Sequence, residues 1–146
     1  MPQPVAIRLE VLYSDNHLVE LRIQVANGRF QGQADMYVAL DWATQLTGRL
    51  RGFPDSVGAS REIELGNWKP DCGGGGLRLA IRTTDRAGHL AVDLQLRACP
   101  HSQGSEESVQ FRAAVDPADI DEFVAELDAM RVKVGDCAVL MGKDRC

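Results

Sequence analysis

Apolar and polar residues alternate at every second position along the first quarter of the chain. This alternation is typical of β-strands that bury one face and expose the other. It predicts three successive strands, paired by short turns into an antiparallel meander: Val5–Tyr13, Val19–Val25 and Phe30–Met36. The apolar side of the first strand is expected to consist of Ile7, Leu9, Val11 and Tyr13.

The turns between these strands have recognisable chemistry. Ser14-Asp15-Asn16 supplies side chains that can hydrogen-bond the local backbone. Asn27-Gly28 predicts a type I′ hairpin turn, which needs positive φ at both central residues. Gly32, inside the third strand, indicates a bulge or the close approach of another backbone.

After Val38 the apolar spacing changes to three and four residues, which predicts an amphipathic helix. The helix is expected to end near Gly52, because Phe53-Pro54 follows. Its apolar stripe is expected to be Leu40, Ala43, Thr47 and Leu50, with Trp42 and Leu46 beside it.

The second half of the chain returns to alternation. It predicts a short fourth strand and then three more, at Glu62–Leu65, Leu77–Arg82, Leu90–Arg97 and Val109–Val115. The glycine run Gly73–Gly76 precedes a strand, and no Gly-Lys-Ser or Gly-Lys-Thr follows it. It is therefore predicted to be a flexible surface loop, because phosphate-binding loops lie between a strand and a helix N-terminus.

The last predicted helix has a strong start signal. Asp116 at the N-cap, Pro117 at N1 and Asp119 at N3 follow the rules for a helix N-terminus. Its apolar stripe is Ile120, Phe123, Val124, Leu127 and Met130, which indicates contact with the core. A short strand around Ala138–Met141 or an irregular tail is expected after this helix.

These elements predict an α+β fold: one largely antiparallel, curved sheet of about seven strands, with two amphipathic helices packed on its apolar face. A chain of 146 residues is the size of one domain. We expect a single domain over 1–146, with the core at about 5–131 and an extension or tail at 132–146.

The composition, 45% hydrophobic and 25% charged, is that of a soluble globular protein. No apolar run approaches the roughly 20 residues needed to cross a membrane. Met1-Pro2-Gln3-Pro4 has no features of a secretory signal, so a cytoplasmic protein is expected. The net charge of −5 argues against binding to nucleic acid, which rewards clustered Lys and Arg.

Acidic residues are concentrated between residues 106 and 128, where Arg112 is the single base. The acids are Glu106, Glu107, Asp116, Asp119, Asp121, Glu122, Glu126 and Asp128. Such a segment is either a solvated helix face or a docking surface for a basic partner protein.

Catalytic motifs are absent from the sequence. His17, His89 and His101 lie next to turns or in a polar loop, without a Gly-x-Ser-x-Gly or a His-Glu-x-x-His motif. Glu62 and Glu64 share one face of a strand and would be the best pair for acid–base catalysis, although such pairs are more often surface pairs. We therefore expect a protein that is not an enzyme and needs no cofactor.

The four cysteines form no C-x-x-C pair, and free thiols are expected in a reducing compartment. The alternative is a metal site built from Cys72, Cys99, His101 or Cys137, whose spacing fits none of the usual zinc patterns. Trp68 precedes Lys69-Pro70 and is interpreted either as core packing at the end of the sheet or as an anchor for a partner.

Several short sequence motifs support a comparison with a known family, in addition to the order of the elements. They are Phe30-x-Gly32 before the first helix, Leu77-Arg78-Leu79-Ala80-Ile81, Gly88-His89-Leu90-Ala91-Val92, and Phe111–Val115 followed by an amphipathic helix. In these features the stretch 18–130 resembles the small bacterial immunity proteins of the WapI type.

The resemblance implies a non-catalytic cytoplasmic protein that binds and neutralises a bacterial toxin domain, often a basic nuclease. On that reading the chain is a monomer or homodimer, and the hypothetical partner-binding residues are Glu106, Glu107, Asp119, Asp121, Glu122, Asp128 and Trp68. The alternatives are a small-molecule-binding module, an oligomeric accessory protein that pairs through a free sheet edge, and the metal-binding protein described above.

Overall fold

The chain forms eight β-strands and two α-helices within residues 5–69, 74–99 and 107–143, which are the residues that this computed structural model describes. The first half contains β1 (Val5–Ser14), β2 (Val19–Ala26), β3 (Gln31–Val38), α1 (Trp42–Leu50) and β4 (Ser60–Gly66). The second half contains β5 (Gly76–Thr83), β6 (Leu90–Ala98), β7 (Glu107–Val115), α2 (Pro117–Ala129) and β8 (Cys137–Met141).

The strands divide between two antiparallel four-stranded sheets, in the orders β3-β2-β1-β8 and β4-β5-β6-β7. We call them sheet A and sheet B. The α+β class is confirmed, but the single curved sheet of about seven strands is not. Both connections between the sheets run through a helix, α1 from β3 to β4 and α2 from β7 to β8. Each helix therefore carries the chain from an edge strand of one sheet to an edge strand of the other.

One apolar core is shared by the inner faces of both sheets and by both helices. The largest buried helix side chains are Trp42 and Leu50 from α1 and Phe123 from α2. Helix α1 packs against α2 and β4, and α2 packs against β8. The segment around Ala138–Met141, expected as a short strand or a tail, forms β8, which pairs with β1 and belongs to this core through Ala138 and Leu140. No helix in the described ranges is long and apolar enough to cross a membrane.

The end of the glycine run lies where the two sheets meet, so the prediction of a flexible surface loop is wrong for this part of it. Gly75 and Gly76 are buried, and the Gly75 N–H donates to the Asp35 carbonyl oxygen of β3 at 3.0 Å. At Gly32 the close approach is made by side chains and not by the predicted backbone, because a Cβ there would lie 2.7 Å from Cγ1 of Val109 on β7. The missing side chains at these positions let the sheets approach each other.

Each edge strand of the two sheets has at least one outward backbone group capped. On β8 the Val139 N–H donates to Glu126, and on β4 the Glu62 carbonyl oxygen accepts from Arg49. On β7 the Arg112 carbonyl oxygen accepts from Asn27. The Gly75 bond caps β3 in the same way. Covering the outward backbone groups of an edge strand is one of the ways in which proteins limit strand pairing between chains.

Two local details differ from the sequence prediction. Asn27 does not have positive φ, so the β2–β3 turn is not type I′; its side chain instead accepts the N–H groups of Arg29 and Phe30, and only Gly28 is left-handed. In α1 the buried positions are Trp42, Leu46, Thr47 and Leu50, while Leu40 precedes the helix and is exposed.

Asp136 organises the loop between α2 and β8. Its Oδ2 accepts the N–H of Arg131 at 2.9 Å and of Lys133 at 3.1 Å. Between them Val132 has a φ of 55°, which is strained for a β-branched residue. The bonds from Lys133 and Arg131 hold the pKa of Asp136 below its ordinary value of 3.8. The carboxylate therefore stabilises a conformation that the chain would otherwise avoid.

We expect Asp136→Asn to lower the Tm at pH 7, because the amide replaces a carboxylate that accepts two backbone bonds. When folding lowers the pKa of a carboxyl group, that group stabilises the folded state at pH values above its pKa in the unfolded chain. This contribution is lost as the pH falls through the pKa of the group in the folded protein. The Tm difference between wild type and variant should therefore shrink once the pH is below 3.8. Thermal melts between pH 7 and pH 2 measure it, and a difference that stays constant with pH would contradict this role.

Candidate functional site

The acidic residues of α2 are less available than the sequence suggests. Asp128 forms an ion pair of 2.8 Å with Arg51 at the end of α1, and this pair lowers the pKa of Asp128. Asp121 and Glu122 are exposed and form no hydrogen bond or ion pair within the described part of the chain. Both lie in the second turn of α2, beyond the first turn in which negative charge interacts with the helix dipole.

Asp119 does not contribute to an exposed docking face. It is only 6% exposed, its Oδ2 accepts the Asp116 N–H at 2.9 Å, and its Oδ1 lies 3.3 Å from Nζ of Lys143. Together with Asp116 it forms the capping box of α2. Glu107 is exposed at the start of β7, and Glu106 lies outside the described residues. Of the proposed acidic face, Glu107, Asp121 and Glu122 remain as exposed carboxylates without a described partner.

We expect Asp119→Ala to reduce the free energy of unfolding by about 1–3 kcal/mol, because it removes half of the capping box and leaves Lys143 with a poorer partner. Asp121→Ala, two residues along the same helix, is the matched control and should change stability by less than about 0.5 kcal/mol. Urea denaturation of both variants compares them. Equal stabilities would show that Asp119 has no structural role.

Trp68 is packed against its own sheet. The Arg78 guanidinium lies over its ring, 4.0 Å from the centroid, and Arg78 also pairs with Glu64 at 3.1 Å. A Cβ on Gly76 would lie 2.7 Å from the indole Nε1, so the ring covers this glycine. The side chain is partly buried, and one face is already occupied by a cation. This geometry matches the interpretation of Trp68 as packing at the end of the sheet.

The described residues contain no group of three His, Cys, Asp or Glu side chains that could hold a metal ion. Cys99 is disulfide-bonded, so the expectation of a free thiol is wrong at this position, and Cys99 cannot serve as a thiolate ligand. Cys137 is free and exposed. Cys72 and His101 lie outside the described ranges.

The outer face of sheet B carries the two glutamates considered for catalysis. Glu64 is paired with Arg78, whereas the Glu62 carboxylate has no partner among the residues described. Ala80 separates Glu62 from Asp93 across the sheet, and these residues line a groove of about 520 Å³. Asp93 is held by Arg112 at 2.7 Å. No His, Ser or Cys lines this groove, so its lining contains no Ser–His or Cys–His pair.

A second surface was not anticipated from the sequence. A β-bulge between Val11 and Tyr13 turns Tyr13 away from the core and places it opposite Glu20, which in turn lies opposite Tyr37 on β3. Both tyrosines are 49% exposed. Leu40, which follows β3, is exposed to the same extent. We call the surface formed by Tyr13, His17, Glu20, Tyr37 and Leu40 the tyrosine end.

The tyrosine end borders a pocket of about 390 Å³, whose lining includes His17, Tyr37 and Trp42. Trp42 is 2% exposed, and its Nε1 has no hydrogen-bond partner among the residues that the structure describes. Gln45 and Glu64 complete the polar part of the lining. A depression next to exposed aromatic side chains is a common arrangement at sites of protein recognition.

Asp15 orders the tyrosine end. Its Oδ1 accepts the N–H groups of His17 and Leu18 at 2.7 and 3.0 Å, and its Oδ2 accepts the Tyr13 hydroxyl at 3.1 Å. The backbone bonds lower the pKa of Asp15, so it stays ionised at neutral pH. The bond to Asp15 raises the pKa of Tyr13, so the phenol stays neutral. One aromatic side chain is thereby fixed in place while half of it faces solvent.

No protein-family model matches the chain, and neither a curated protein nor a solved structure is significantly similar to it.

Proposed function

We propose that the chain is a non-catalytic protein-binding module and that the tyrosine end is its interface. The observation that carries the proposal is the outward position of Tyr13. Simple alternation along β1 would bury this residue, and the bulge instead aligns it with Glu20 and Tyr37 on the surface. Bulges are retained in proteins where they redirect a side chain for a purpose.

Tyrosine is well suited to such an interface. It offers a large, rigid contact area with a polar end, and it is enriched among the residues that dominate binding energies. The bond from Tyr13 to Asp15 reduces the conformational freedom that binding would otherwise remove. Leu40, three residues after Tyr37, adds exposed apolar surface.

The partner that we propose is a basic bacterial toxin domain, which the protein neutralises by occupying its surface. Three features support this: the resemblance to WapI-type immunity proteins, the net charge of −5, and the acids at the tyrosine end. Neutralisation by binding needs no catalytic group on the chain. Glu107, Asp121 and Glu122 would act at longer range, because exposed charges chiefly accelerate encounter.

Affinity capture from a lysate of the native host, followed by mass spectrometry, tests the proposal. The tagged wild type should retain a protein at a one-to-one ratio, and Tyr37→Ala should lose it. Phe30→Ala is the matched control, because Phe30 is an exposed aromatic residue in the β2–β3 turn, away from the tyrosine end. Equal capture by wild type and Tyr37→Ala would remove the tyrosine end as the interface.

A small-molecule-binding role is the second candidate, favoured by the groove on sheet B. Its volume of about 520 Å³ is within the range of ligand sites, and Ala80 leaves room between Glu62 and Asp93. Native mass spectrometry of the purified protein distinguishes the two roles. A bound molecule of constant mass, lost on Ala80→Phe, would favour the ligand role over the protein-binding one.

A further inference from the structure

We infer that the tyrosine end binds a basic side chain, arginine or lysine, which the partner places over Glu20 between Tyr13 and Tyr37; this inference rests on the proposed function. Tyr13, Glu20 and Tyr37 lie directly opposite one another on three neighbouring strands. Facing residues on adjacent strands have Cβ atoms about 4.5–5.5 Å apart. The Cβ atoms of the two tyrosines therefore lie roughly 10 Å apart, with Glu20 on the strand between them.

The Glu20 carboxylate is free to bind a cation. It forms no hydrogen bond or ion pair within the ranges that the structure describes. Arg22 lies two residues away on the same face, but its guanidinium is engaged by Asp35 through bonds of 2.9 and 3.2 Å. On the same outer face, Glu10 is already paired with Arg8 at 2.7 Å. Among the described acids on the outer face of β1–β3, Glu20 is thus the one without a direct ion pair, and Arg22 acts on it only at longer range.

Acidic residues outnumber basic ones around the tyrosine end. The segments 12–21 and 37–48 contain the acids Asp15, Glu20 and Asp41 and no Lys or Arg, and Arg22, on the same face of β2, is held by Asp35. Asp41 keeps its side chain at the surface, where it accepts a bond from Gln45 at 2.7 Å. A cation brought to this end meets attraction from three carboxylates.

The chemistry of the site selects among cations. Tyrosine rings attract a cation through their π faces within about 6 Å of the ring centroid. A carboxylate accepts N–H donors, and a guanidinium offers five of them and an ammonium three. A quaternary ammonium group offers none and would leave Glu20 without a hydrogen bond. Arginine or lysine on a protein satisfies the rings and the carboxylate together.

A peptide titration tests the inference without the natural partner. The probe is acetyl-Gly-Arg-Gly-amide, and its neutral isostere has citrulline in place of arginine. In ¹H–¹⁵N spectra of the full chain, the arginine peptide should shift the amides of Tyr13, Glu20 and Tyr37 in a saturable way. The citrulline peptide should bind at least tenfold more weakly. Glu20→Gln should lower the affinity for the arginine peptide about tenfold.

Glu10→Gln is the matched control, because Glu10 lies on the neighbouring strand, on the same face, and is already paired. It should leave the titration unchanged. Equal binding of the two peptides would overturn the inference, because it would mean that the tyrosine end binds peptides through apolar contacts and not through their positive charge. Shifts located elsewhere, or concentration-dependent shifts without peptide that indicate a second copy of the chain, would overturn it as well. A partner captured in a Tyr37-dependent manner without any arginine-peptide binding would reject this inference alone.

Discussion

Replacing Gly75 with alanine is expected to lower the free energy of unfolding by about 2–4 kcal/mol. A Cβ at this position would lie 2.5 Å from the Arg97 carbonyl oxygen and 3.0 Å from the Asp35 carbonyl oxygen. Both neighbours are backbone atoms of packed strands, so neither can move aside cheaply. The Gly75 N–H also links the two sheets through its bond to Asp35, and a displaced backbone would weaken that bond.

Gly48→Ala is the control for this substitution. Gly48 lies inside α1, and a Cβ there would meet no atom within 4 Å. Alanine is the better helix former, so we expect this variant to gain about 0.5–1 kcal/mol. Urea unfolding curves of the two variants and the wild type give both changes. A Gly75→Ala protein as stable as wild type would contradict the close contact between the sheets.

Replacing Tyr13 and Tyr37 together with alanine is expected to weaken binding of the captured partner by about 3–5 kcal/mol, at least a hundredfold. Central aromatic residues of an interface typically contribute 2 kcal/mol or more each. The two side chains lie on either side of Glu20, so one docked group would lose both contacts. Isothermal titration calorimetry with the purified partner measures the change.

The same double variant should fold. Both residues are half exposed, and surface substitutions usually change stability by no more than about 0.5 kcal/mol. A thermal melt separates loss of binding from loss of structure. Tyr13→Phe is the conservative control: it keeps the ring, loses the bond to Asp15 and should cost a smaller part of the affinity. An unchanged affinity in the double variant, with the fold intact, would exclude the tyrosine end.

The sequence predicts the strands and α2 well because their signals are local. Alternation is visible within each strand, and Asp116, Pro117 and Asp119 mark the start of α2 by residue type alone. The division into two sheets is not local. The same hairpins can occur in a single sheet or in two separate sheets, so hairpin signals do not give the number of sheets. The pairing that completes sheet A, β1 with β8, joins the two ends of the described chain.

The candidate site was missed for a similar reason. One bulge moves Tyr13 from the buried face of β1 to the exposed face, and the alternation of apolar and polar residues along β1 does not predict this bulge. The sequence also overstates how many acids of segment 106–128 are available to a partner. Asp128 and Asp119 are paired with Arg51 and Lys143, which are distant in sequence. The glycines around position 75 could equally have been a loose loop, and only the packing of β3 against them shows otherwise.

Hydrogen–deuterium exchange of the protein, alone and with its captured partner, tests the proposed interface most directly. We predict slower exchange in the complex for amides in segments 12–20 and 37–42, and little change for those of α2. Protection confined to α2, or to the outer face of β4–β7, would contradict an interface at the tyrosine end.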